Sequence, residues 1–96
     1  MENNNLEAFF HQSSGYISFE RNTNATTKAL YGAYRKWCAD NLEKPMAEKT
    51  FASYLKADAT SLGIQYDKNL GIGGGKKARG YHNVNVLINI NTKDFW

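Results

Sequence analysis

The chain has a single cysteine, Cys38, in its 96 residues. One cysteine closes no internal disulfide and builds no zinc knuckle, which fits a reducing, cytoplasmic setting. No apolar run approaches the ~18 residues of a membrane-spanning helix, so no membrane partner is expected. The opening MENNNLEAFF has neither the basic start nor the long apolar core of a secretory leader. Histidine is scarce as well. His11 and His82 are the only two, and neither has a Cys, Asp or Glu at metal-ligand spacing. Cys38 has no neighbouring His to form a nucleophilic pair and reads as a small core hydrophobe. Nothing places Asp40 and Glu43 in a water-excluding cleft. No catalytic constellation emerges, so the expectation is a non-enzyme without metal or cofactor.

A local absence is more informative. Between Lys68 and Lys93 there is no Asp or Glu, while Lys68, Lys76, Lys77, Arg79 and Lys93 give +5. The whole chain carries +3, so the remainder stands at −2 and the positive charge is concentrated in the C-terminal third. A sequence pI near 9.0 permits an anionic partner without demanding one.

What is present describes one small domain. Residues 1–96 suffice for a single core, spanning about 5–91, and not for two. A hydrophobic share of 42% and an aromatic share of 14% are those of a folded chain. Leu6, Phe9, Phe10 and Ser13 share one side of a short helix that Gly15 stops. Tyr16–Glu20 alternates as a short strand, and Asn22–Thr27 reads as a polar turn with Thr26 or Thr27 as helix cap. Over Thr27–Asn41 the residues Leu30, Ala33, Tyr34 and Trp37 fall on one helical face, with Lys28, Gly32, Arg35 and Ala39 opposite. The chain's one proline, Pro45, sits in a tight connector and is suited to opening the next helix. That helix, residues 47–62, turns Phe51, Leu55, Ala59 and Leu62 inward and ends at Gly63. Ile64–Leu70 and His82–Ile90 alternate as strands around a Gly-rich connector, which is a hairpin signature.

Two helices joined by a short turn and followed by a hairpin predict an α+β winged helix-turn-helix. It would have three helices and a small antiparallel sheet, formed by the short strand Tyr16–Glu20 and the C-terminal hairpin wing.

The connector GIGGGKKARGY (Gly71–Tyr81) admits two chemistries. A phosphate-binding loop of the Walker type needs glycine at position 70 and a hydroxyl at 77, and the chain has Leu70 and Lys77. Gly73, Gly75 and Ala78 fit a dinucleotide pattern formally, but that pattern must open a helix, and here a strand follows. A hairpin wing fits better. Its glycines would loosen the tip over 71–80, and Lys76, Lys77 and Arg79 would project to nucleic-acid phosphates; otherwise they form a solvated basic loop. On the preceding helix, Lys49, Ser53, Lys56 and Thr60 form an outward face of cations and hydroxyls. That face is expected to lack carboxylates, with Glu48 and Asp58 to the sides, and it suits a recognition helix in a DNA groove. No Arg lies on this helix, so reading guanine through a guanidinium is excluded there. His82 is read as a partly buried structural residue.

The segment ALYGAYRKWCADNLEKPMAEKTFASYL (Ala29–Leu55) resembles the C-terminal domain of phage, plasmid and poxvirus-type primase–helicases. Leu30-Tyr31, Ala33-Tyr34 and Trp37-Cys38 match the first part of the motif, Pro45-Met46 the turn, and Lys49, Phe51 and Leu55 the second helix. Gly80-Tyr81 matches the family's aromatic-led final strand. The likeness covers most of Leu6–Ile90 and lies largely in core positions. Ala47 stands where the family commonly has a Ser or Thr cap, and neither primase nor helicase motor is present. The resemblance implies a replication module of a mobile element, acting in a bacterial or phage-infected cytoplasm. Its expected partners are DNA, duplex in preference to single-stranded, and the primase or helicase portion of a parent polypeptide. A protein-interaction module, tethering a replication partner or mediating self-association, is the alternative.

Overall fold

In the computed structural model, residues 6–12 and 15–87 are described. The elements are α1 (Leu6–His11), β1 (Ile17–Ser18), β2 (Asn24–Thr26), α2 (Thr27–Asp40), α3 (Glu48–Leu62), β3 (Gln65–Gly73), β4 (Lys76–His82) and β5 (Asn85–Val86). The architecture is mixed α+β, with three helices and two small antiparallel sheets ordered β1-β5 and β2-β4-β3 among the described residues. Ser13, Ile88 and Ile90, assigned above to the first helix and the last strand, lie outside those residues.

Thr26 caps α2, its side chain accepting the Ala29 N–H at 3.0 Å. Leu30 through Tyr34 are all buried, as are Trp37 and Cys38. Gly32 therefore does not lie on a solvent face as the helical wheel predicts. The reason is that α1, α3, β2, β4 and β5 all pack on α2, so it is enclosed on more than one side. Phe9 of α1 meets Tyr34 and Trp37 edge-on at 5.6 and 5.7 Å, and Tyr34 stacks on Phe51 of α3 at 5.0 Å.

α2 ends in a Schellman-type turn, with the Glu43 N–H donating to the Cys38 carbonyl at 2.8 Å. Leu42 occupies the position usually given to glycine, with φ of 56° and 95% exposure. The connector that follows is fixed by two tyrosines of α2. The Tyr31 hydroxyl donates to the Met46 carbonyl at 2.6 Å, and the Tyr34 hydroxyl accepts the Met46 N–H at 2.9 Å. Pro45 thus lies in the connector and does not open the helix. α3 begins at Glu48 after Ala47, which makes no side-chain capping bond. Glu48 in the first turn supplies a favourable charge for the helix dipole instead. Tyr34→Phe keeps the buried ring and orphans the Met46 N–H. The expected loss is about 1–3 kcal/mol of stability, read as a lower urea midpoint at unchanged m-value.

Three expectations about the strands are corrected. The Tyr16–Glu20 segment contributes only β1, which pairs with β5 (Ile17 opposite Val86), within the expected His82–Ile90 strand but in a sheet separate from the β3–β4 hairpin. The hairpin's third strand is β2, from the stretch read as a polar turn, with Ala25 opposite Tyr81. Third, His82–Ile90 is not one strand. Asn83 takes φ of 69° and donates its N–H to the Thr23 carbonyl at 2.8 Å, which breaks the strand. Beyond that break the chain joins the other sheet, where Val86 pairs with Ile17 of β1.

The hairpin tip is also tighter than a loose glycine loop. Gly74 and Gly75 have φ of 60° and 72°, the signature of a two-residue type I′ turn. Gly73 already pairs with Lys76, and β3 absorbs two register shifts, between Asp67 and Leu70 and between Gly71 and Gly73. Lys76, Lys77 and Arg79 are therefore strand residues. At Gly80 the reason for glycine is space, because β2 passes so close that an added Cβ would lie 2.6 Å from the Ala25 carbonyl oxygen.

Candidate nucleic-acid interface

α3 presents Lys49, Ser53 and Lys56 at helical spacing, so the three form one stripe. That stripe, with Glu48 and Ala52, is one wall of a groove of about 930 Å³. The opposite wall is the sheet, contributing Tyr66, Ala78, Arg79 and Tyr81. Thr26, Thr27 and Lys28 close one side, which places the positive end of the α2 dipole at the groove. β2 sets this arrangement, since its pairing with β4 delivers the start of α2 beside Arg79.

Lys28, Lys49, Lys56 and Arg79 against Glu48 leave the groove at +3. Lys49, Lys56 and Arg79 form no salt bridge with any described residue. The Lys56 ammonium sits 4.7 Å from the centroid of the Tyr66 ring, a cation–π contact that holds it over the groove. Tyr66 in turn meets the Tyr81 ring at 5.3 Å, and burial pushes the Tyr81 phenol up to about 12, so it stays neutral at ordinary pH.

Of the residues expected from sequence, Lys49, Ser53, Lys56 and Arg79 come together here. Lys76 and Lys77 are exposed near the turn and Thr60 is exposed further along α3, and none of the three lines the groove. Glu48 corrects the expectation of a carboxylate-free face, because it stands on the groove wall. Lys28, Thr26, Thr27 and Tyr66 were not anticipated. Lys28 is the second residue of α2, but only the β2–β4 pairing brings it to α3, and that pairing has no local signature.

Away from the groove, His82 Nε2 lies 2.8 Å from Asp67 Oδ2, and Asp67 Oδ1 accepts the Asn69 N–H at 2.8 Å. This pair ties β4 to the register shift in β3. The His82 hydrogen bond, then that of Asn69, holds the Asp67 carboxyl below its ordinary 3.8. A carboxyl lowered in the folded state stabilises the fold above its unfolded pKa and loses that contribution as pH falls through the folded value. Asp67→Asn is accordingly expected to lower stability at neutral pH and to flatten its decline between roughly pH 5 and pH 3, followed by thermal melts across that window.

Among the described residues, no group of His, Cys, Asp and Glu is arranged to hold a metal ion, and no helix is long and apolar enough to cross a membrane. No family model, curated protein or solved structure matches this chain.

Proposed function

We propose that the domain is a winged helix that binds DNA, with α3 as the recognition element and the β3–β4 hairpin as the wing. The observation that carries this reading is convergence. Lys49 and Lys56 from α3 and Arg79 from β4 are far apart in sequence, lack salt-bridge partners among the described residues, and share one groove. Unneutralised cations on facing elements supply the phosphate contacts on which affinity for nucleic acid rests. Lys76 and Lys77, exposed near the turn, extend the positive surface along the wing. The resemblance at Ala29–Leu55 adds the setting: a replication module of a phage- or plasmid-type primase–helicase, working beside the motor of a parent polypeptide in the cytoplasm.

Fluorescence anisotropy with labelled DNA at two salt concentrations tests the reading. Affinity that falls steeply with salt is expected. Flat traces at both concentrations overturn DNA binding and turn attention to protein contacts, for which Phe19 and Leu87 are exposed apolar candidates at the ends of the β1–β5 ribbon.

A further inference from the structure

Building on the DNA-binding reading above, we propose that the groove holds an unpaired strand, so that the domain prefers single-stranded or forked DNA to duplex. This reverses the preference expected from sequence. Three observations support it.

The groove's volume of about 930 Å³ lies within the ~300–1,000 Å³ of sites that enclose a drug-sized molecule. A short run of nucleotides is of that scale. A duplex would rest on the rims and offer the interior only the outer edge of one strand.

The apolar lining of the two walls has a use only for exposed bases. Ala52 on one wall faces Ala78 and the Tyr66 ring on the other, with the buried Tyr81 behind Tyr66, while Lys49 and Arg79 stand on opposite walls. Apolar and aromatic walls between cations are how sequence-tolerant single-strand sites work, with bases stacked on rings and phosphates on the cations. Paired bases are hidden in the duplex and gain nothing from such a lining. Tyr66 is half-buried, carries Lys56 at 4.7 Å over its ring and is backed by Tyr81 at 5.3 Å. A base docking on Tyr66 takes the ammonium's place over the ring, and Lys56 moves to the adjoining phosphate.

The helix, meanwhile, is poorly equipped to read a major groove. α3 (EKTFASYLKADATSL) contains no Arg, Asn or Gln, the residues that pair bidentately with guanine and adenine edges in company with Lys. Its exposed surface includes Ala57 and Asp58.

The test is an anisotropy titration at low salt with three labelled probes: an oligothymidylate, a mixed-sequence duplex of equal length, and a fork. The oligothymidylate and the fork are expected to bind about tenfold more tightly than the duplex. Equal affinity, or a tighter duplex, overturns the strand preference and leaves DNA binding standing. Absence of binding to all three overturns both. Tyr66→Leu keeps an apolar side chain and removes the π-face. It is expected to weaken oligothymidylate binding about tenfold with duplex binding unchanged. Ala52→Leu narrows the groove from the α3 wall without altering charge and serves the same purpose if Tyr66→Leu does not fold. Unchanged single-strand affinity in the folded variant, or equal loss on both DNAs, overturns the proposal.

Discussion

Gly80→Ala is expected to cost about 3 kcal/mol of folding free energy, a large part of what a domain of this size possesses. The new Cβ would lie 2.5 Å from Leu70 Cδ2, 2.6 Å from the Ala25 carbonyl oxygen and 3.0 Å from the Thr26 Cα. Leu70 is buried and has little room to turn aside. The Ala25 oxygen and Thr26 Cα belong to the β2 backbone and move only if the strand moves. Relief therefore means parting β2 from β4, and with it shifting the start of α2. Gly71→Ala is the matched control. An added Cβ there meets nothing within 4 Å, and a change within about 0.5 kcal/mol is expected. Urea denaturation of both variants checks the pair. A Gly80→Ala protein as stable as the parent would mean that β2 does not approach β4 as described.

The second large effect falls on binding. Lys49→Gln, Lys56→Gln and Arg79→Gln together remove three cations from the groove while leaving the core residues untouched. If each neutralises one phosphate, the plot of log affinity against log salt flattens by about 2–3 units. The loss should be similar for every sequence, because phosphate contacts position without reading bases. The Lys76→Gln/Lys77→Gln double variant lies outside the groove and is expected to flatten the plot less. Titrations at several salt concentrations measure both slopes. A slope unchanged in the triple variant removes the groove from the proposed function, and a larger effect from the double variant moves the contact to the hairpin end.

The two long helices and the hairpin were legible because their periodicities run long enough to be read. Leu30, Ala33, Tyr34 and Trp37 recur at helical spacing, and all four are buried. Phe51, Leu55 and Ala59 do the same in α3. Features set by three residues or by close approach were not legible. β2 is only Asn24–Thr26, too short for alternation to distinguish it from a turn. The break at Asn83 was hidden because the alternation of apolar residues continues through it, although asparagine is a residue type that takes a positive φ more readily than most. Lys49, Ser53 and Lys56 followed from the α3 stripe, and Arg79 from the charge clustered in the hairpin. The rest depended on which wall faced which, so Lys28 and Tyr66 entered only once β2, β3 and β4 were seen to pair.

β4 carries Arg79 at the groove and, one and two residues on, Gly80 and Tyr81 in the buried middle of the sheet. Backbone amides there exchange with solvent only when the strand opens. A ligand held by Arg79 binds the closed strand and raises the free energy of that opening with its concentration. Hydrogen–deuterium exchange at Tyr81, and at its partners Ala25 and Tyr66 on the flanking strands, should therefore slow when the groove is filled. The domain's interior would report occupancy of its surface without any change of shape.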